Sequence, residues 1–214
     1  MFPLAFAKIQ SGTATEKWKW NVLDEELLAS VFRHLPPLET ERLLLRAARM
    51  NDAEDIYEYA KDPLVSKHVL WEAHRSVYQT RSYIRYLLRQ YRNAAPGTYV
   101  IVHKASGKVI GTIGFVWVQS DNASAEVGYS LSHAYWNRGY MTEALKKMLA
   151  FGFETLKLNR IEAQYETSNP ASGRVMQKSG MKYEGTLRQR IYKKGQYVDV
   201  DLYAILRSDM EKTK

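Results

Sequence analysis

The sequence predicts an α/β (α+β) domain built on a mixed sheet with helices packed on its faces. Three observations predict it. Segments of strand period and helix period follow in the order strand, two helices, three strands, helix, strand, helix, two strands, neither strictly alternating nor segregated. The last two strands flank Lys194-Gly195, a hairpin signal. The composition, 45% apolar and 25% charged with 15 Tyr and 5 Trp in 214 residues, is that of a globular chain rather than a disordered one.

Residues 1–37 read as an N-terminal extension and residues 38–214 as the main domain. The apolar start, MFPLAFA, has no basic segment before it and is interrupted by Lys8, so it makes a poor signal peptide. SGTAT, residues 11–15, reads as loop. Residues 22–35 fit an amphipathic helix with Leu23, Leu27, Leu28, Val31 and Phe32 near one face. Asn21 or Asp24 caps it and Pro36-Pro37 ends it. It either packs on the main domain or serves as a dimerisation arm or tag-like segment.

In the main domain, RLLLR (residues 42–46) is a short strand. Asn51-Asp52 offers cap chemistry to a helix carrying Ala53, Ile56, Tyr57 and Ala60, which Pro63 closes. Residues 80–92 form the next helix, with Tyr83, Ile84, Leu87, Leu88 and Tyr91 apolar. Strands follow at 98–103, 109–118 and 125–131, with Gly111 and Gly114 as bulge markers. A helix over 140–156, a strand over 160–167, a helix over 172–179 ended by Gly180, and strands over 182–191 and 197–206 complete the domain.

Zero cysteine excludes disulfides, thiolate nucleophiles and Cys-ligated metal. Any proton handling or covalent step must use other side chains. With 31 Lys plus Arg against 23 Asp plus Glu, the charge of +8 invites a nucleic acid or an anionic cofactor. No apolar run approaches the ~18 residues of a membrane span, so a soluble cytoplasmic protein is expected.

The chemistry concentrates in residues 125–181. The strand AEVGYSL leads through Ser132-His133-Ala134 into Trp136-Asn137-Arg138-Gly139-Tyr140-Met141-Thr142-Glu143, where a long helix starts. Strand, compact loop and helix N-terminus make an anion site. The first helical turn has unpaired N–H groups and partial positive charge, Gly139 admits bound oxygens closely, and Arg138 adds a cation. No GxxxxGK[ST] or GxGxxG is present, which argues against a P-loop NTPase and a Rossmann dehydrogenase. Asn169-Pro170-Ala171-Ser172 opens the next helix, where Asn and Ser cap ordinarily but also suit an amide-rich ligand.

RLLLR, EVGY, WNRGYMTEAL and NPASGRVMQKSGMKYEG, in this order, resemble the GNAT superfamily of N-acetyltransferases, in particular its RimJ/RimL-type branch of ribosomal-protein N-terminal acetyltransferases. The resemblance covers residues 38–210. It implies a GNAT fold binding acetyl-CoA in a V-shaped splay between the strand at 126–131 and the strand at 160–167. Tyr129, Ser130 and Leu131 pair their backbone with the pantetheine. Trp136, Asn137, Arg138, Gly139, Tyr140, Met141 and Thr142 hold the pyrophosphate. The superfamily pattern [QR]-x-x-G-x-[GA] is altered, with Trp136 first and Met141 last. Where many members place a tyrosine acid, this chain has Met176, so Ser172, with Asn169 nearby, is assigned as hydrogen-bond donor to the CoA sulfur.

The reaction so implied is direct acetyl transfer to a primary amine, either a protein N-terminal α-amine, a ribosomal protein's included, or a small-molecule amine. Glu126 is the candidate general base, since the attacking amine must be neutral. A backbone N–H near Tyr129 serves the oxyanion. Glu143 reads as favourable charge at a helix N-terminus. His68 and His74 lie in a loop with Trp71 and read as packing or solvated, and His133 as exposed. Nothing has metal spacing. Asp199 and Asp201 share one sheet face. Arg81, Arg85 and Arg89, flanked by Arg75 and Arg92, make a basic stripe. That stripe supports the rival reading, a non-catalytic nucleic-acid or ribosome-binding module. A homodimer is a further expectation left open by sequence.

Overall fold

A computed structural model describes residues 23–211. The sequence readings for residues 1–22 lie outside the described residues. Eight strands form one sheet in the order β1-β2-β3-β4-β5-β6-β8-β7. They are β1 (Leu38–Glu39), β2 (Leu43–Arg46), β3 (Thr98–His103), β4 (Val109–Gln119), β5 (Ser124–Leu131), β6 (Arg160–Glu166), β7 (Lys182–Lys193) and β8 (Gln196–Leu206). All neighbours run antiparallel except β5 and β6, which are parallel. The helices are α1 (Glu25–Arg33), α2 (Ala53–Ala60), α3 (Pro63–Ser66), α4 (Val77–Arg92), α5 (Tyr140–Glu154), α6 (Pro170–Lys178) and α7 (Arg207–Glu211).

The period-2 alternation of the strands sorts their side chains between two cores. Leu43, Leu45, Tyr99, Ile113, Val127, Ile161 and Ile205 face α5 and α6, whose Leu145, Met148, Leu149 and Met176 are buried against them. Phe32 of α1 joins the same core. Asp24 caps α1 by accepting from the amides of Glu26 and Leu27, and the Leu23 amide donates to Ser120 O at 3.2 Å. The other face receives α2 and α4 over β3, through Ile56, Tyr59, Ile84, Leu87, Val100 and Val102.

Several local readings change. Pro63 opens α3 rather than ending α2, because a fixed φ and a missing N–H suit a first helical position; Asp62 caps it by accepting from Leu64 N at 2.9 Å. Asp52 stands at the N-cap of α2, but its side chain makes no bond to the first turn. It is buried and accepts from the Arg46 guanidinium at 2.7 and 2.8 Å and from Arg49 N at 2.7 Å. α4 begins at Val77, three residues earlier than its apolar face suggests, because Ser76 Oγ accepts from Gln79 N. Of the two glycines read as bulge markers, Gly111 sits beside a register shift against β3, while the shift against β5 falls beyond Gly114, between Phe115 and Trp117. The turn of the last hairpin is as its residues require, with φ of 49° at Lys194 and 88° at Gly195.

Candidate active site

β5 and β6 pair at only three positions, Ser124↔Arg160, Ala125↔Ile161 and Glu126↔Glu162. Beyond Glu126 the two strands diverge. β5 stays paired with β4 as far as Leu131, and β6 stays paired with β8 as far as Glu166. The gap between them is therefore edged by main-chain N–H and C=O groups that the sheet does not use. A cavity of about 580 Å³ occupies the gap. Tyr129, Ser130, Leu131, Trp136, Asn137, Gly139, Tyr140, Met141, Thr142, Asn169 and Ser172, which the sequence reading assigns to the cofactor, line it together.

One wall is the loop into α5. Asn137 (φ 59°) and Gly139 (φ 78°) are both left-handed, which turns the chain sharply and aims the start of α5 at the cavity. Gly139 is the N-cap and has no side chain to satisfy the amides of the first turn, so those donors and the helix dipole remain available to an anion. Arg138 stands apart from its neighbours in the loop. It is exposed and absent from the cavity wall, with its guanidinium 6.0 Å from the Tyr135 ring centroid. Its carbonyl instead accepts from Arg42 Nη1 at 3.1 Å. Arg42 lies 4.4 Å over the Tyr140 ring and pairs with Glu143 at 2.6 Å. Glu143 also accepts from Arg42 N at 2.9 Å and Thr40 Oγ1 at 2.5 Å. Burial works against the Glu143 charge, but these bonds from Thr40 and Arg42 outweigh it and hold the carboxyl below its usual range. The start of β2 thus clamps the helix end that faces the cavity.

The opposite wall is α6. Asn169 Nδ2 donates to Ser172 Oγ at 3.1 Å, and the Tyr129 hydroxyl donates to Ser172 O at 3.2 Å. Accepting from Asn169 leaves the Ser172 hydroxyl proton for donation into the cavity. Burial pushes the Tyr129 phenol up, so it keeps its proton. Gly173 is required by close approach: a Cβ there would lie 2.6 Å from Tyr165 Oη. Arg174 and Lys178, one turn apart on α6, also line the cavity. Sequence reading missed them, although their i, i+4 spacing places both on one helix face.

Residues 42–182 match the family described as acetyltransferase (GNAT) domain. The chain belongs to the GNAT acetyltransferase family. It is 34% identical over 172 residues to the N-acetyltransferase p20 of Bacillus licheniformis, covering 80% of this chain and 97% of that one. It is 31% identical over 97 residues to the ribosomal-protein-serine acetyltransferase of Escherichia coli, covering 45% and 54% respectively, and this agrees with the RimJ/RimL-like branch. A GNAT acetyltransferase structure from Bacillus anthracis superposes with a TM-score of 0.73 at 28% identity, over 81% of this chain and 99% of that one. The RimL ribosomal-protein α-N-acetyltransferase in complex with coenzyme A has the same fold, with a TM-score of 0.70 at 21% identity over 80% and 98%.

In this acetyltransferase Glu126 does not line the cavity shared by Tyr129 and Ser172. Three residues apart on a strand, Glu126 and Tyr129 point to opposite faces. Glu126 lines a second cavity, also about 580 Å³, with Trp117, Glu162, Arg190 and Leu202. Gln164 lines both cavities. The register shift at Val116 brings Trp117 to the Glu126 side, where its indole N–H donates to Oε2 at 2.7 Å; Gln164 Nε2 donates to Oε1 at 3.0 Å. The carboxylate is therefore fixed at the point where β5 and β6 separate.

His74 packs between Trp71 and Tyr83 and meets Thr80 Oγ1 at 2.8 Å; burial lowers its pKa. His133 packs at a tilt against Trp136, with Nδ1 3.5 Å from Asp62. Asp201 accepts from Tyr165 and Thr186, and Asp199 from Gln189 N, so both serve the sheet. Arg81, Arg85 and Arg89 are exposed; Arg81 pairs with Glu54 while Arg85 and Arg89 lie over Tyr78 and Tyr86. Among the described residues no group of His, Asp and Glu is placed to hold a metal, and no helix is long and apolar enough to cross a membrane.

His68 lines the first cavity, with Nδ1 3.1 Å from Glu166 Oε2. Glu166 also pairs with Lys193, which is only 6% exposed and donates to Lys67 O at 3.0 Å. Burial works against the Glu166 charge, but hydrogen bonds from Lys193, Ser168 and His68 outweigh it and hold the carboxyl at about 2, down from 4.5. A depressed carboxyl binds fewer protons folded than unfolded, so its stabilisation is complete above pH ~4.5 and is lost as pH falls toward ~2. Glu166→Gln is expected to lower stability at pH 6 by roughly 2 kcal/mol and to flatten the fall between pH ~4.5 and ~2, as read from urea midpoints.

Proposed function

We propose that this chain uses acetyl-CoA to acetylate a primary amine by direct transfer. The observation that carries the reading is the splay of β5 from β6 beside the uncapped start of α5. Such a gap offers main-chain groups to an extended amide-containing arm and amides to a pyrophosphate at its end. Bound there, acetyl-CoA supplies an activated acyl thioester. Tyr129, Ser130 and Leu131 hold the pantetheine arm with their backbone. The amides from Asn137 to Thr142 hold the pyrophosphate, with Trp136 beside them, and Arg138 serves through the backbone that Arg42 fixes. Arg174 and Lys178 add charge for the remaining phosphate.

Asn169 aims the Ser172 hydroxyl, which donates a hydrogen bond to the departing sulfur. Glu126 receives a proton from the incoming amine, directly or through water, from the second cavity. An N–H near Tyr129 stabilises the oxyanion. The likeness to the E. coli ribosomal-protein-serine enzyme makes a protein N-terminal α-amine the acceptor class to test first. An α-amine, with a pKa of ~7.7–8, needs far less help to become neutral than a lysine at ~10.4.

Saturating acetyl-CoA, at about a hundred times its Kd, is expected to raise Tm by roughly 5–10 °C. Gly139→Asp puts a side chain and a negative charge at the left-handed N-cap and is expected to abolish that rise. A folded Gly139→Asp protein with the wild-type shift contradicts the anion site. Glu126→Gln is expected to lower kcat by roughly 10²-fold or more while the acetyl-CoA shift persists, measured by CoA release; unchanged turnover removes Glu126 from the proton path.

A further inference from the structure

A primary amine that arrives as an ammonium carries three protons and ends as an amide carrying one. Two protons therefore leave the nitrogen in each turnover. Glu126, on the second cavity, accounts for one of them. The first cavity also borders the reacting centre, and the second acceptor belongs on its wall.

Its titratable lining is four tyrosines (Tyr129, Tyr135, Tyr140 and Tyr165), Arg174, Lys178 and His68. Tyr129 and Tyr165 are pushed up, by burial in both cases and by Asp201 at Tyr165, and they stay protonated. Arg174 and Lys178 offer donors and no acceptor. His68 is the imidazole on that wall, and a histidine changes charge in the right range. Its geometry selects the reactive tautomer. Nδ1 faces Glu166 Oε2 at 3.1 Å. A carboxylate can only accept, so the proton sits on Nδ1 and Nε2 carries the lone pair. Glu166 is in turn fixed by the nearly buried Lys193, whose ammonium is also held by Lys67 O. Ser168 Oγ also lies 3.4 Å from the His68 Nδ1. Base, orienting carboxylate and fixing cation come from the loop after α3, from β6 and from β7. They form the relay by which a positioned imidazole removes protons.

We propose that His68 is a second catalytic base of this acetyltransferase, with Glu166 and Lys193 as its positioning residues. The proposal rests on the acetyl-transfer reading above. Glu126 takes the ammonium proton, and the nitrogen–carbon bond forms. His68 Nε2 takes the second proton from the nitrogen of the tetrahedral adduct. The carbon–sulfur bond then breaks, and the electron pair leaves on the sulfur that Ser172 hydrogen-bonds. The thiolate takes one proton from water, Glu126 and His68 pass their two protons back to solvent, and each turnover releases one proton net.

The test uses the full chain and whichever amine wild-type protein acetylates from a panel of N-terminal peptides, amino acids and polyamines, followed by CoA release. His68→Gln is expected to lower kcat by about 10²-fold, to keep the acetyl-CoA thermal shift, and to lose the acid limb of kcat/KM against pH. His68→Ala is expected to regain part of its rate with added imidazole, which a purely structural role would not allow. Glu166→Gln is expected to shift the acid limb to lower pH, because the imidazolium loses its carboxylate. Wild-type turnover in the same assay tests the transferase reading separately. With that turnover established, a His68→Gln protein with wild-type kcat and an unchanged acid limb overturns the His68 assignment alone.

Discussion

Three residue pairs of parallel ladder, ending at Glu126↔Glu162, set the geometry of this molecule. Had β5 and β6 paired along their whole length, the sheet would have consumed every main-chain group between Val127 and Leu131. Instead each strand is held straight by its antiparallel neighbour on the far side, β4 for one and β8 for the other, and the two diverge. Because they are parallel, the helices that follow them both begin at the same end of the gap. The α5 and α6 N-termini therefore converge on one cavity, in keeping with the rule that ligands bind beyond the carboxyl ends of parallel strands.

An open gap must be kept open, and polar contacts on its margins do so. Arg42, Thr40 and Glu143 tie the start of β2 to the first turn of α5. Lys193, Glu166 and His68 tie the β7–β8 end to the loop after α3. Trp117 and Gln164 hold Glu126 where the strands part. Each charged member here is partly or fully withdrawn from water. Such groups stabilise only as complete sets, and removing one partner leaves a desolvated charge behind. The same side chains that hold the walls apart thus become fixed in the orientations that proton transfer and anion binding need.

Much of this was legible in the sequence. The order of elements followed from periodicity, because β-branched runs such as TYVIVH and apolar faces such as Ala144, Leu145, Met148 and Leu149 leave little choice. Gly139 marked the anion loop, since a left-handed N-cap requires it or a residue such as Asn. What was not legible depended on partners distant in sequence. Asp52 looked like a cap until Arg46 came into reach, and only the fold brings Arg42 to the Arg138 carbonyl. His68 gained its partner only when Glu166, about a hundred positions along, was folded against it. Two placements follow from spacing alone. Strand parity puts Glu126 and Tyr129 on opposite faces, and helical spacing puts Arg174 and Lys178 together on the cavity side.

The central claim is that the gap between β5 and β6 receives acetyl-CoA. Amide hydrogen exchange with and without acetyl-CoA reads it most directly. The account predicts slowed exchange at amides between Val127 and Leu131 and between Asn137 and Thr142, with the α4 surface around Arg81, Arg85 and Arg89 unchanged. Protection confined to α4 or to the second cavity, or no protection at either gap segment under saturating acetyl-CoA, would contradict it.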